Sequence, residues 1–185
     1  MSARIVIING SGGCGKSTFI KQCDDIANQY KAKIVIELST VDYVKEVAQY
    51  CGWDGSKTEK DRAFLHDLKE ALTKWNNSPN QTVFDQINAI MNTQRFAKKA
   101  DWLFFVNIRE PKAIDEFIEQ NKKATGLPVS TLLVVNSNVP VIQSNEADRD
   151  VEQHKYDYVV SNSSDIEALK VWAEYYLDKV LKFLA

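Results

Sequence analysis

Residues 5–18, which read IVIINGSGGCGKST, decide the fold of this chain. The first four are apolar and β-branched, which is typical of a strand that is buried on both faces of a parallel sheet. Residues 10–17 then match the pattern G-x-x-x-x-G-K-[ST] in full, and a helical pattern runs from Lys16 to about Gln29. A glycine-rich loop in this position points backbone N–H groups at a phosphate, and the helix N-terminus adds partial positive charge.

The loop predicts a site for a nucleoside triphosphate, with ATP and Mg²⁺ as the expected cofactors. Lys16 would reach the β- and γ-phosphates as a mobile point charge, and the Ser17 hydroxyl would bind Mg²⁺. The other candidate nucleotide-binding residues are those that build the loop, namely Gly10, Ser11, Gly12, Gly13, Cys14, Gly15 and Thr18.

The rest of the chain alternates short apolar runs with amphipathic stretches, ending in a helix predicted over 164–184. Further buried strands are predicted at 34–36, 102–108, 129–135 and 156–160. Strands that alternate with helices form a parallel sheet with helices on both faces. The predicted fold class is therefore α/β, a P-loop NTPase three-layer sandwich with a five-stranded parallel sheet, in a single domain over residues 1–185.

Two segments extend this plan, a helical insert over about 40–99 and a polar lid over about 136–150. The insert should lie above the carboxyl ends of the strands, where open α/β sheets bind ligands. Its long helix is predicted over 59–75, followed by a break over 76–80 and another helix over about 82–99. Core packing is the expected use of Trp75, the last of six apolar residues that recur at helical spacing in the long helix: Phe64, Leu65, Leu68, Ala71, Leu72 and Trp75.

Composition narrows the class of protein. The chain has 185 residues, 44% of them hydrophobic, and 25 acidic against 23 basic groups give a net charge of −2. This balance disfavours a broad basic face for polymeric nucleic acid. No apolar run approaches the roughly 20 residues of a membrane-spanning helix, and three scattered cysteines suit a reducing compartment. The expected protein is cytoplasmic and binds a small-molecule phosphate acceptor; its oligomeric state is left open between monomer and homodimer.

Two familiar classes of nucleotide hydrolase are disfavoured. Regulatory GTPases read guanine with N-K-x-D, whereas residues 121–124 read NKKA and lack the acid. A motor-type ATPase would carry an aspartate at the carboxyl end of its third strand, but Asp101 lies at the opposite end. The third strand instead delivers Asn107, Arg109 and Glu110 to the predicted active edge.

Several other segments resemble the deoxynucleoside monophosphate kinase-like P-loop kinases of phages and bacterial genomes. These segments are ELSTVDYVK at 37–45, GWDG at 52–55, KDRAFLHDLK at 60–69, NIREP at 107–111, NEAD at 145–148 and YDYV at 156–159. The resemblance covers nearly the whole chain and implies ATP-dependent phosphoryl transfer to a (deoxy)nucleoside monophosphate. Animal phosphomevalonate kinases are similar in the same segments. A non-nucleotide phosphate ester therefore stays an alternative acceptor, and an inactive nucleotide-binding regulatory module is a third hypothesis.

Four basic residues are candidates for handling phosphate. On the resemblance, Arg62 would hold the acceptor's phosphate with its planar fork, the alternative being a solvated arginine. Lys69 lies two turns further along the same helix, and it is equally compatible with binding the acceptor and with a solvated position. Arg109 ends a buried strand and Arg149 is the lone arginine of the lid, so both would neutralise charge on the transferring group. Related sequences carry basic residues just after the fourth strand, where this chain has polar residues at 136–138.

Two acidic residues follow the second strand. Glu37 lies at its end and Asp42 a few residues later, and either could bind an acceptor hydroxyl or a Mg²⁺-bound water. Asp42 could equally be a first-turn acid that is favoured by the helix dipole. A phosphate acceptor is already ionised near neutral pH, so neither carboxylate is needed as a strong base.

Overall fold

A computed structural model of the chain describes residues 2–94, 100–139, 151 and 154–184. Five parallel strands form one sheet in the order β2-β3-β1-β4-β5. The strands are β1 (Ala3–Asn9), β2 (Lys33–Ser39), β3 (Asp101–Asn107), β4 (Val129–Val135) and β5 (Tyr158–Ser161). The predicted five-stranded parallel sheet is confirmed. In this order β1 lies at the centre, with β3 and β2 on one side and β4 and β5 on the other. The point at which the strand order changes direction opens a crevice at the carboxyl ends of β3, β1 and β4.

Six helices and one terminal turn complete the described fold. They are α1 (Lys16–Ala27), α2 (Thr40–Tyr50), α3 (Glu59–Asn76), α4 (Ser78–Gln94), α5 (Pro111–Ala124), α6 (Ile166–Tyr175) and a π-helical turn (Tyr176–Val180). Local chemistry fixes several starts. Ser39 accepts from the Val41 N–H, Asp165 accepts from the Ala168 N–H, and Thr58 with Asp61 forms a capping box. None of the described helices is both long and apolar enough to cross a bilayer.

The side chains of β1 alternate between two apolar cores. Val6 and Ile8 pack with α1 and α6, whereas Ile5 and Ile7 pack with α4 and α5. All four are fully buried. A strand with no polar face must be covered on both sides, which explains the three layers.

The insert is only partly raised above the sheet. Phe84 and Ile87 of α4 are buried in the core on the α5 side, so α4 serves as the crossover helix between β2 and β3. No residue of α3 is buried: Phe64 is 37% exposed and Trp75 is 84% exposed. The predicted core packing of Trp75 is therefore wrong, whereas Leu65, Leu68 and Leu72 of the same helix are half-buried. Helix α3 packs on α2 and α4 rather than on the sheet, and a helix-on-helix contact covers less of it.

Three predicted boundaries also shift. The break between the insert helices is a single residue, Asn77, whose φ of 55° is left-handed, and α4 already begins at Ser78. Pro79 is tolerated in the first turn of α4 because its missing N–H is not needed there. The closing helix ends in the π-helical turn, with Lys182 at φ 51°, instead of running to residue 184. The predicted end of α4 near residue 99 and most of the lid fall outside the described residues.

Candidate functional site

The loop after β1 is held in a strained, tightly packed shape. Gly10, Gly13 and Gly15 have φ of 147°, 80° and 100°. A Cβ at Gly10 would lie 2.3 Å from the Val134 carbonyl oxygen, and a Cβ at Gly15 would lie 2.1 Å from Asn162 Nδ2. Only glycine fits both the dihedral angles and the space at these two positions. The fold of the loop therefore requires glycine at the first and sixth positions of the motif.

The Lys16 ammonium lies inside this loop. Its Nζ donates to the Gly10 carbonyl at 2.6 Å and to the Ser11 carbonyl at 3.1 Å. Among the described residues no side chain caps α1, whose first turn also carries no acid. The loop thus combines a partly buried cation with the uncapped, positive end of a helix, and both favour an anion.

Ser17, Glu37 and Asn107 come together beside the loop, from three different elements. Glu37 Oε1 accepts from Ser17 Oγ at 3.3 Å and from Asn107 Nδ2 at 2.8 Å. A depression of about 200 Å³ opens next to this trio, lined in part by Lys21 and Asp24. A hydroxyl and a carboxylate are the oxygen ligands that Mg²⁺ prefers. Of the two predicted acidic residues, the structure brings Glu37 to the loop.

Asp42 does not join that group. It lies in the first turn of α2 and pairs with Lys45 at 3.1 Å, with more than half of its side chain exposed. This is the geometry of the helix-dipole alternative. Asp101 lies at the amino end of β3, where it accepts from the Lys33 ammonium at 3.1 Å. That placement agrees with its predicted position away from the phosphates.

Sequence reasoning missed a buried network around Asn9, the last residue of β1. Asn9 is fully buried; its Oδ1 accepts from the Gly10 N–H, and its Nδ2 donates to the Arg109 carbonyl and to the Tyr156 hydroxyl, each at 2.7 Å. The Tyr156 hydroxyl donates in turn to the Val151 carbonyl at 2.8 Å, and burial raises the pKa of Tyr156 to about 12. One signal was available: an amide follows four β-branched residues at the point where the loop begins. The network fixes the start of the loop against the turn after β3.

The turn after β3 carries Arg109 and Glu110. The Arg109 side chain is exposed at the carboxyl edge of the sheet, as predicted. Glu110 precedes α5 without capping it through its side chain, and instead accepts from the Lys69 ammonium at 2.6 Å. Lys69, a predicted acceptor-binding residue, therefore links α3 of the insert to the carboxyl edge of the sheet.

The Lys69–Glu110 pair predicts a pH-dependent contribution to stability. Burial alone would raise the pKa of Glu110, but the Lys69 charge and hydrogen bond lower it below the ordinary 4.5. Since the folded pKa is the lower one, the stabilisation is present above about pH 4.5 and is lost as pH falls through the folded value. Urea unfolding should show Glu110→Gln less stable than the original chain by about 1 kcal/mol at pH 7, with the difference shrinking below pH 4.

An exposed glutamate provides the control for this pair. Glu46→Gln, on the outer surface of α2, should change stability little and equally at both pH values. If Glu110→Gln lowers the free energy of unfolding by the same amount at pH 7 and below pH 4, the Lys69–Glu110 pair is not the source of the pH dependence.

The remaining predicted residues are placed as follows. Arg62 is exposed on α3, and Arg62, His66 and Lys69 fall at i, i+4 and i+7, so they share one face of that helix. Lys69 shows that this face points towards the turn after β3. Arg149 lies outside the described residues.

The polar residues after β4 contact the loop after β5. The Ser137 N–H donates to Ser163 Oγ at 2.9 Å, and Asn138 Nδ2 donates to the Ser163 carbonyl at 2.6 Å. Asn162 Nδ2 donates to the Cys14 carbonyl at 2.9 Å, which joins both loops to the glycine-rich loop. Neutral side chains thus occupy the place where the resemblance leads one to expect basic ones.

Comparisons with known proteins give the fold a context. No protein-family model matches the chain, and no curated protein matches it. Similar solved structures include the Deinococcus radiodurans tunicamycin resistance protein, with a TM-score of 0.56 and 15% identity over 96% of this chain and 95% of that one. The Mycobacterium tuberculosis APS kinase in complex with AMPPNP and APS has a TM-score of 0.52 and 11% identity over 97% and 98%. Thymidylate kinase from Ehrlichia chaffeensis has a TM-score of 0.51 and 11% identity over 99% and 100%.

These matches span almost the whole length of both chains at low identity. Such a likeness establishes a shared architecture. This chain has the fold of the P-loop kinases.

Proposed function

We propose that this protein is an ATP-dependent phosphotransferase that moves the γ-phosphoryl group to the phosphate of a (deoxy)nucleoside monophosphate. The observation that carries the proposal is the assembly of the Lys16 loop and the Ser17–Glu37–Asn107 trio at one edge of the sheet, with the Arg62 face of α3 directed at the same edge. The Lys16 loop and the Ser17–Glu37–Asn107 trio suit a polyphosphate with its metal. The Arg62 face of α3 offers positive charge to a second anion.

The residues of the donor side fit ATP and Mg²⁺. The glycine-rich loop and the uncapped α1 terminus would hold the phosphates, and Lys16 would exchange two carbonyl partners for phosphate oxygens. Ser17 would ligate Mg²⁺, and Glu37 would hold a water of its shell while Asn107 fixes the carboxylate's orientation. The metal would supply neutralisation of the developing negative charge.

The acceptor side requires positioning rather than a strong base. A phosphate monoester is ionised near neutral pH, so the chain must align its oxygen and screen the repulsion between two anions. Arg62 would grip the acceptor's phosphate, with Lys69 alongside it. Arg109, at the end of β3, would stabilise charge on the group in transfer, and Arg149 would do so from the lid.

An ADP-release assay over a panel of acceptors tests this proposal. Nucleoside and deoxynucleoside monophosphates are compared with non-nucleotide phosphate esters and with no acceptor, and preparations of Lys16→Ala expose any contaminating kinase. Turnover that depends on a nucleotide supports the proposal. If only a non-nucleotide phosphate ester supports turnover, the acceptor is such an ester and not a nucleotide. Tight ATP binding without acceptor-stimulated turnover would show that the protein is a nucleotide-binding module and not a kinase. The binding-module outcome is included because the neutral Asn138, which contacts Ser163, lies where the resemblance leads one to expect basic residues.

Glu37→Gln separates the metal role of this residue from other roles. We expect the Mg²⁺ concentration for half-maximal activity to rise several-fold, because an amide binds the cation and its water less strongly than a carboxylate does. Activity should recover largely at saturating Mg²⁺. Glu46→Gln is the matched control. An unchanged Mg²⁺ dependence with lower activity at every concentration would refute the metal role.

A further inference from the structure

Three hydrogen bonds fix the orientation of the buried Asn9 amide. A carbonyl oxygen can only accept, so the Tyr156 hydroxyl donates to Val151 and its oxygen accepts from Asn9. The amide therefore turns Nδ2 towards Tyr156 and the Arg109 carbonyl, and Oδ1 towards the Gly10 N–H. A flipped amide would set oxygen against oxygen at Arg109 and N–H against N–H at Gly10. Tyr156 thus determines which way Asn9 points.

Tyr156 is itself held from a second side. Its ring meets the His154 ring edge to face at 4.9 Å between centroids, and His154 Nδ1 lies 3.8 Å from Asp115 Oδ1. Asp115 belongs to α5, the helix that begins directly after the turn of Arg109. The contacts therefore close a ring that leaves Asn9 through Tyr156 and returns to it through Arg109. Fully paired networks of this kind make the groups that they join more rigid.

The backbone of the turn after β3 is fixed, whereas the Arg109 side chain is exposed. Ile108 is 2% exposed, and the Arg109 carbonyl accepts from Asn9 at 2.7 Å. Glu110 precedes Pro111, which restricts it to the extended conformation in which it is found, with φ −75° and ψ 127°. The Arg109 side chain leaves this backbone beside the end of β1, where the glycine-rich loop begins.

We propose that Tyr156 is a positioning residue for phosphoryl transfer, because through Asn9 it sets the place of the Arg109 guanidinium relative to the glycine-rich loop. This role rests on the proposed function, in which Arg109 stabilises charge on the group in transfer. A displacement of about 1 Å greatly weakens such stabilisation. An apolar pair of the same shape as Asn9 and Tyr156 would serve the core about as well, so alignment of the edge is what the polar pair adds.

A double-mutant cycle of Tyr156→Phe and Arg109→Ala tests the proposal. Tyr156→Phe keeps the ring and its contact with His154 and removes the hydroxyl alone. We expect kcat for ADP release to fall about fivefold or more, while the dissociation constant for ATP, measured by calorimetry, changes less than about twofold. In the Arg109→Ala background the same change should lower kcat less than about twofold, because the group that Tyr156 positions is gone.

A purely structural role of Tyr156 predicts a different pattern. A loosened loop would weaken ATP binding, and it would lower kcat by the same factor with and without Arg109. Tyr30→Phe is the matched control, since it removes a hydroxyl from an exposed tyrosine before β2 and should leave kcat unchanged in both backgrounds. Melting temperatures show that each variant is folded. If Tyr156→Phe does not fold, His154→Leu takes its place and should give the same pattern with a smaller loss.

The outcomes separate this inference from the proposed function. If the original chain turns over and Tyr156→Phe keeps its kcat, or loses it equally with and without Arg109, the positioning role is overturned and the phosphotransferase stands. A Tyr156→Phe variant that loses ATP affinity in proportion to kcat also overturns that role. If the original chain shows no acceptor-dependent turnover, the proposed function is overturned, and the role of Tyr156 with it.

Discussion

Lys16→Ala is expected to lower the rate of phosphoryl transfer by at least about 10²-fold while the chain stays folded. The ammonium is a positive charge placed within the loop, 2.6 Å from the Gly10 carbonyl, where it would meet the charge that develops on the transferring group. Its Nζ donates to the carbonyls of Gly10 and Ser11 and approaches Cys14 Sγ at 3.8 Å, all within the same short loop, so the loss of these contacts should change stability little. ADP release and the melting temperature measure the two effects.

Lys31→Ala is the matched control for this variant. Lys31 is exposed in the turn before β2, at the end of the sheet away from the loop, so its loss should leave turnover and stability unchanged. Retention of more than a tenth of the turnover by Lys16→Ala would contradict the assigned role. A large fall in the melting temperature of Lys16→Ala alongside its loss of turnover would show that Lys16 stabilises the fold instead.

Gly10→Ala is expected to destabilise the protein by about 3 kcal/mol and to abolish nucleotide binding. The new Cβ would lie 2.3 Å from the Val134 carbonyl oxygen and 2.6 Å from Cys14 Sγ, at a φ of 147° that L-residues avoid. The carbonyl belongs to a central strand, so it cannot move aside cheaply. The loop would have to change shape, and this would displace the N–H groups that we propose hold phosphate.

Gly12→Ala, in the same loop, is the control for Gly10→Ala. A Cβ at Gly12 meets nothing within 4 Å, so we expect a stability change within about 0.5 kcal/mol. Thermal unfolding should place Gly10→Ala roughly 10 °C below the original chain and Gly12→Ala close to it. Similar melting temperatures for both variants would show that the loop is not constrained as described.

Local patterns predicted the elements of the sheet well. The fourth strand was predicted at 129–135 and is found there, and the glycine-rich loop connects β1 to α1 as expected. These features depend on periodicity and on backbone chemistry that neighbouring residues determine. The apolar stripe of α3 correctly predicted a helix, but the core packing expected for Trp75 is wrong. The stripe is real, but whether it is covered depends on what lies opposite, and α3 lies on other helices.

Contacts between distant residues could not be predicted in this way. Lys69 and Glu110 are 41 positions apart, and no periodic pattern links them. Glu37 and Asp42 were equal candidates by sequence, and only the pairing of β2 with β3 brings Glu37 to Asn107.

The hydrogen bonds of Asn9 have a consequence for the order of folding. Its partners Arg109 and Tyr156 are separated from it by 100 and 147 positions, so both bonds close very long stretches of chain. Such closures are entropically costly and follow the local helices and turns in time. The edge of the sheet that carries the glycine-rich loop should therefore be assembled last during folding and be lost first on partial unfolding, which would make the proposed nucleotide affinity a stringent reporter of the complete native state.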